Sequence, residues 1–254
     1  MLVGAGDIAN SGSGDEATAK LLDVIPGTVF TAGDNAYDSG TDAQFANYYD
    51  PTWGRHKART KPSAGNHDYN TSNAQGYRNY FGYPSGPLYY AYDLGSWRVY
   101  SLDSNISMSV GSAQETWLRA DLAANPRSCI AAYWHHPRYS SGGTHGSNTS
   151  VRPLYQALYD YGADVVVNGH EHNYERFAKQ DASGNAAANG IREFVAGMGG
   201  ASHYGFGSVL PNSEARNSTV FGVLKLTLHS SSYDWQFVPV AGQTYADSGS
   251  QGCN

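Results

Sequence analysis

Apolar and polar positions in this chain change over in short blocks rather than in long amphipathic stretches. Residues 2–6, Leu2-Val3-Gly4-Ala5-Gly6, form an apolar run that reads as a buried strand closing at Asp7. Ser13-Gly14-Asp15-Glu16 has capping-box spacing, and Ala17, Leu21, Leu22 and Ile25 follow at helical intervals until Pro26 stops the helix. Val29-Phe30-Thr31 is a second strand, closed by Ala32-Gly33-Asp34-Asn35-Ala36-Tyr37. Thr41 and Gln44 repeat the capping pattern ahead of a helix that reaches about Tyr49, and residues 60–63 lead into Ala64-Gly65-Asn66-His67-Asp68. Strand and helix thus alternate through the first third, the order that lays helices on a sheet.

The period then changes. Residues 88–94, a Gly95-Ser96 turn and residues 97–102 predict an antiparallel hairpin. Ser112 and Glu115 cap a helix carrying Trp117, Leu118 and Leu122, which stops by Pro126. Residues 129–134 are a buried strand that delivers His135-His136-Pro137, and residues 142–150 form a Gly/Ser/Thr loop containing His145. Residues 151–161 read as a helix with Leu154 and Leu158 on one face, ahead of the strand 163–167 and Gly169-His170-Glu171-His172. Beyond Arg176 the strands turn antiparallel: 193–196, 220–228 and 233–240, the last two joined by Ser230-Ser231-Ser232. The polar, glycine-rich stretch 197–218 reads as a surface excursion rather than a substrate rim. No repeat or long linker divides the chain. The expectation is a single catalytic domain over 1–254, of α/β (α+β) class: a four-layer α/β/β/α sandwich of two mixed sheets flanked by helices.

Composition narrows this picture. A chain of 254 residues, 40% hydrophobic, can bury a core of its own. A net charge of −6 leaves no basic footprint for nucleic acid, and the apolar runs fall far short of a membrane span. Charged residues make up only 15%, against 30 Gly and 20 Tyr, so the surface meets water largely through uncharged polar groups. No signal peptide opens the chain, which starts almost inside a strand, as a mature or trimmed secreted form would. The two cysteines, Cys129 and Cys253, are expected to pair and staple the end of the chain to its body. Such a link is worth about 4–5 kcal/mol in the chain-entropy model and belongs to an oxidising, extracellular setting. Nothing in the pattern sets the oligomeric state.

The chemistry gathers where the strands end. Asp7, Asp34, Asn66-His67, His135 and His170 each follow a short extended run, and ligand groups collect outside the carboxyl ends of strands. If the backbone stays extended through His170 and His172, both imidazoles face one side and Glu171 the other. Asp7, Asp34, Tyr37, Asn66, His67, His135, His170 and His172 are oxygen and nitrogen donors without a thiol. They are too many for one tetrahedral zinc and suit two cations about 3.5–4 Å apart that share a carboxylate. Paired cations are what phosphate-ester hydrolysis asks for.

The blocks Gly6-Asp7-Ile8-Ala9, Gly33-Asp34-Asn35-Ala36-Tyr37, Gly65-Asn66-His67-Asp68, Tyr133-Trp134-His135 and Gly169-His170-Glu171-His172 occur in that order. They resemble the five blocks of the calcineurin-like metallophosphoesterase superfamily. The Gly33-Asp34-Asn35-Ala36-Tyr37 form and the tail His172-Asn173-Tyr174-Glu175-Arg176 are similar to its purple acid phosphatase branch. The resemblance implies two metal ions. Asp7, Asp34, Tyr37 and His172 would hold an Fe(III), which suits oxygen-rich donors. Asp34 would bridge, and Asn66, His135 and His170 would complete a second site for Fe, Zn or Mn. His67 would give a proton to the leaving group, oriented by Asp68. His136, His145 and Arg138 are further candidates for substrate contact, each equally readable as a surface or packing residue. Tyr174, Glu175 and Arg176 would anchor the loop behind His172. His56, His203 and His229 match no block and read as structural or exposed. Two departures are read: Ala9 replaces a glycine usual in the first block, and the accessory N-terminal domain of plant relatives is expected to be absent, which would leave a more open mouth. The implied activity is phosphomonoester hydrolysis by metal-bound hydroxide on a small phosphate-ester substrate, with no nucleic-acid or membrane partner. The alternatives are a phosphodiesterase acting on nucleotide or glycerophospho-type diesters, and a non-catalytic binding protein.

Overall fold

In the computed structural model, which describes all 254 residues, β1 (Leu2–Ala5) leads through α1 (Gly14–Val24) to β2 (Thr28–Ala32). A single α-turn, α2 (Asp42–Gln44), widens into a π-helical turn over Phe45–Tyr49, and β3 (Thr60–Ser63) and α3 (Gln75–Phe81) follow. The hairpin β4 (Tyr90–Leu94) and β5 (Trp97–Ser101) precedes α4 (Ala113–Ala124), β6 (Cys129–Tyr133), α5 (Arg152–Asp160) and β7 (Val165–Asn168). The remainder is all strand: β8 (Tyr174–Phe177), β9 (Arg192–Ala196), β10 (Ser213–Asn217), β11 (Gly222–Leu228), β12 (Ser232–Pro239) and β13 (Ser248–Gly252).

Six strands, in the order β13-β12-β11-β1-β2-β3, form one sheet, and seven, in the order β10-β8-β9-β7-β6-β5-β4, form the other. Both are mixed: β1, β2 and β3 run parallel, as do β5, β6, β7 and β9, while the hairpin strands at the edges run against them. Period-two alternation decides which core each side chain joins. In β6, Cys129, Ala131 and Tyr133 face the six-stranded sheet, whereas Ile130 and Ala132 face the outer helices. In β7, Val165 and Val167 point inward between the sheets and Val166 points outward. Between the sheets, Phe30 packs on Tyr133 at 5.5 Å and Trp97 meets Tyr233 edge-on at 5.8 Å. Outside, α4 and α5 lay Leu118, Leu122, Leu154 and Leu158 on the seven-stranded sheet. Each such buried side chain contributes roughly 1.5–3 kcal/mol. The expected α/β/β/α layering of two mixed sheets is the observed one.

Local signals were honoured unevenly. Thr41 and Gln44 form a complete capping box, and the Ser112 hydroxyl accepts the Glu115 N–H at 3.3 Å. The box read at Ser13 does not form, because Glu16 is drawn instead to Arg55 at 2.7 Å. Short β8 and β13 and helix α3 lie outside the expected elements: β13 is small and polar throughout, β8 has only four residues, and Tyr77, Tyr80 and Phe81 give α3 little more than one helical turn of apolar spacing. The stretch 197–218 is more than a surface excursion. Residues 197–200 are buried against the first strand block, and β10 pairs with β8.

The Cys129–Cys253 disulfide is present, with Cα atoms 5.4 Å apart and a sequence separation of 124. It joins the start of β6 to the residue after β13 and so ties the two sheets together. No helix is long and apolar enough to cross a membrane.

Candidate metal centre

The site lies along one edge of the sandwich, where β1, β2, β3, β6 and β7 end. Asp7 follows β1, Asp34 follows β2, Asn66 and His67 follow β3, His135 follows β6, and His170 and His172 follow β7. Three of these residues sit in the left-handed backbone region, Asp7 (φ 59°), Asp34 (φ 52°) and His170 (φ 71°). That conformation costs a β-carbon-bearing residue about 1–2 kcal/mol and persists only where surrounding contacts impose it. Here the blocks hold one another. Asp7 N–H donates to the Gly33 carbonyl at 3.0 Å, His170 N–H to Asp7 Oδ2 at 2.9 Å, and His67 N–H to Asp34 Oδ1 at 2.7 Å. Gly65 is required by the same crowding, since a β-carbon there would lie 2.2 Å from Asp34 Oδ1.

Two donor groups result. Around the Tyr37 hydroxyl lie Asp7 Oδ1 at 3.0 Å, His172 Nε2 at 3.1 Å and Asp34 Oδ2 at 3.2 Å. Around His135 Nε2 lie Asn66 Oδ1 at 3.0 Å, His170 Nδ1 at 3.1 Å and again Asp34 Oδ2 at 3.2 Å. Asp34 Oδ2 is the one atom common to both. Metal–ligand bonds of about 2.0–2.2 Å at right angles place neighbouring donors about 3 Å apart, so each group has the spacing of a coordination shell. The donor chemistry fits too: oxygen and imidazole, with the one thiol pair locked in a disulfide away from the site. The imidazoles are aimed from behind. His135 Nδ1 is held by the Ala32 carbonyl at 2.9 Å and His172 Nδ1 by the Ser202 hydroxyl at 2.8 Å, which leaves each Nε2 for the centre.

Electrostatics agree with this reading. Burial by itself would raise Asp34 and lower His135, but their mutual attraction wins. Asp34 is held down at about 2 and His135 is pushed up to about 9, so without a cation a proton stands between them. Burial, joined by the neighbouring His135 charge, lowers His170 and takes His136 down to about 3, keeping both imidazoles neutral. Burial, then the Asp34 and Asp7 charges, raises the Tyr37 phenol well above its usual range, so the metal-free phenol stays protonated.

Other side chains depart from expectation. The backbone at His170 and His172 is not extended. β7 stops at Asn168, and tight bends, with Glu171 N–H on the Gly169 carbonyl and Asn173 N–H on that of Glu171, turn both imidazoles inward. Asp68 does not orient His67. Its carboxylate accepts N–H groups of Gly65 (2.9 Å) and Asn35 (3.2 Å), and the His67 ring is held by the Asp38 carbonyl, 2.6 Å from Nδ1. Burial, then the Asp34 charge, raises Asp68 to about 7. Arg138 is turned away from the centre, its guanidinium on the Ala182 carbonyl and against the Tyr139 ring, so it is not placed for substrate contact. His136 is held by Ser104 at 2.8 Å with its ring 4.4 Å from His170. His145 is exposed and stacks on His170 at 4.1 Å. Tyr174 and Arg176 bond to Asp247, and Glu175 to Ser141. His56 and His229 pair with Asp23 and Asp234, and His203 lies on Phe221. Ser202, and Tyr204 stacked on His172 at 4.0 Å, went unforeseen. The run Gly197-Met198-Gly199-Gly200 just before them was the one available signal of a close backbone approach.

Two donor groups sharing one carboxylate oxygen, set at strand ends of a two-sheet sandwich, form a centre whose residues could hold metal ions. The chain belongs to the calcineurin-like phosphoesterase family, whose model matches residues 2–174. Within it, the likeness runs to the purple acid phosphatase branch. Purple acid phosphatase 15 of Arabidopsis thaliana is 34% identical over 113 residues, which is 40% of this chain and 21% of that protein. A purple acid phosphatase from yellow lupin (Lupinus luteus) seeds superposes with a TM-score of 0.79 at 20% identity, over 99% of this chain and 53% of the lupin one. GAP50, described as the anchor in the inner membrane complex of Plasmodium, superposes with a TM-score of 0.78 at 16% identity, over 100% of this chain and 88% of its own. The chain thus spans only a fifth to a half of the length of the phosphatases it matches.

Proposed function

We propose that this chain hydrolyses phosphomonoesters at a pair of metal ions. The observation that carries the reading is the sharing of Asp34 Oδ2 between two donor groups, flanked by the imidazoles of His67, His136 and His145, which belong to neither. Asp7, Asp34, Tyr37 and His172 would hold one ion, Fe(III) by the resemblance to purple acid phosphatases. Asp34, Asn66, His135 and His170 would hold the other, Fe, Zn or Mn. When bound, the ions acidify water and offset the charge on the phosphoryl oxygens. The chain supplies the rest. The His67 ring leans on Tyr37 at 4.5 Å with its Nδ1–H donated to the Asp38 carbonyl, so a proton for a departing alkoxide would come from Nε2 of the imidazolium form. His145, exposed and stacked on His170, would meet a phosphoryl oxygen. The disulfide accords with secretion, and a small phosphate ester is the expected partner.

A second reading, phosphodiester hydrolysis, is favoured by one feature. With Arg138 turned away, the rim described here offers imidazoles and no guanidinium for the second charge of a monoester dianion. The anchor described for GAP50 keeps a third reading open, that of a binding protein. Metal content and a visible spectrum on chelator-free protein, followed by p-nitrophenyl phosphate against bis(p-nitrophenyl) phosphate, separate the three. Two ions per chain, a broad tyrosinate-to-iron band and monoester preference are expected. Diester preference would replace the leading reading with the second, and protein that takes up no metal would leave only the third.

A further inference from the structure

Residues 138–146 lack regular structure, yet carry His145 to its place over His170. Five of their backbone N–H groups are taken by three buried carboxylates. Glu193 Oε1 accepts those of Arg138 (2.8 Å) and Tyr139 (3.1 Å), and Glu175 Oε2 that of Ser141 (2.7 Å). Glu171 Oε1 accepts those of His145 and, at 2.6 Å, Gly146. Glu171 is fully buried, and its other oxygen has no hydrogen-bond partner. The loop lies flat on it, since a β-carbon at Gly142 would come within 2.1 Å of Glu171 Cδ. Burying a carboxylate is expensive unless N–H groups converge on it, and charge-assisted bonds to such groups are short and strong. Glu171 Oε1 therefore holds this loop by two neighbouring N–H groups at once. The His145 ring makes no hydrogen bond of its own, and it is exposed. Its aim is set by its backbone and by two ring contacts, His170 at 4.1 Å and Tyr204 at 5.7 Å.

We propose that Glu171 is the positioning residue for His145: by holding the His145 and Gly146 N–H groups from beneath, it fixes that imidazole over His170, where it meets the phosphoryl group. This rests on the phosphoester reading of the centre. It also gives the residue between the two block histidines a function that neither ligation nor packing supplies. Preorganising an exposed side chain through its backbone is a means of placing it without burying it.

The test uses the full chain loaded with metal, in four variants: E171A, E171Q, H145A and E171A/H145A. Metal content, the dissociation constant for inorganic phosphate by calorimetry, and kcat and KM for p-nitrophenyl phosphate are measured on each. E171A and H145A are each expected to weaken phosphate binding and lower kcat/KM by on the order of 10-fold, with metal content unchanged. The double variant is expected to be no worse than H145A, because a residue that acts through His145 has nothing left to act on. E171Q keeps an oxygen for both N–H groups and is expected to recover most of the loss. Losses that multiply in the double variant, or parent phosphate affinity in E171A, would overturn the proposal. So would loss of metal in E171A alone, which would make Glu171 a support for His170 and His172. Should E171A not fold, G142A displaces the same carboxylate and carries the same expectations. Loaded parent protein that binds phosphate but turns over no ester would defeat the phosphatase reading, while phosphate affinity across the variants would still decide the role of Glu171.

Discussion

The two ends of β6 are built on opposite principles. At its start, Cys129 is bonded to Cys253, and the neighbouring Asp164 carboxylate accepts the N–H groups of Ile130 (2.8 Å) and Asn254 (2.6 Å). Past its end, His135 enters a ring of residues with left-handed backbone and mutually dependent contacts. One end is stapled across 124 residues of sequence, and the other holds strained residues whose support is only as good as their neighbours. Five residues of strand separate a stability device from a chemical one. The arrangement keeps strain where donors must converge and puts the covalent constraint where no chemistry would be disturbed.

The sharpest way to break the strained end is Asp34→Ala. It removes the one oxygen common to both donor groups, so both ions are expected to leave. Activity should fall by ~10³-fold or more, the worth of several kcal/mol of charge stabilisation. Elemental analysis beside kinetics checks it, and a variant that keeps two ions would show that Asp34 is not shared.

The stapled end is broken by replacing both cysteines with alanine. Freeing a loop of this length is expected to cost about 4–5 kcal/mol, seen as a melting temperature lower by roughly 10–15 °C. The folded protein should keep its turnover number near the parent value. A large fall in turnover at temperatures well below the melt would mean that the two ends of β6 are coupled.

His67→Ala sharpens the comparison within the strained end, because it removes a group that is not a ligand. Two ions per chain should remain, and esters with poor leaving groups should slow by ~10²-fold, activated ones much less. Equal slowing of phenyl and p-nitrophenyl phosphate would rule out proton donation.

The smallest effect concerns Asp164→Asn. Burial raises Asp164 to about 6 despite the N–H groups it accepts. The native state then binds its proton more tightly than the unfolded chain does. In the parent this group's contribution to stability is therefore complete below pH 4 and is lost as pH rises through about 6. Melting curves of the asparagine variant relative to the parent should shift in the variant's favour between pH 4 and 7. A constant difference would place Asp164 at an ordinary value.

Much of this molecule was readable locally. Strand, glycine and ligand succeed one another within six or seven residues at Asp7, Asp34 and Asn66, and the continuous apolar runs of β6 and β7 marked them as buried strands. The pairing of Cys129 with Cys253 was legible because a chain with only two cysteines leaves one partner for each. Reading failed wherever a polar group had to choose a distant partner. Asp68 was given to His67, its neighbour in sequence, but bonds Asn35; Arg138, open between substrate contact and packing, bonds Ala182. Glu16 was read as folding back on Ser13 but takes Arg55, and Ser202, which steadies His172, lies in a stretch read as surface.

The sequence by itself determined the strand-end blocks, the donor types and the layered class, because backbone propensity and hydrophobic period act within a few residues. Only the tertiary structure decided which oxygen of Asp34 is shared, that His170 turns inward through a left-handed bend, and that Glu171 lies beneath the His145 loop. Those outcomes depend on which buried donors and acceptors are left without water once the two sheets close. Each then bonds whatever partner the packing brings within 3 Å, however far away it is in sequence.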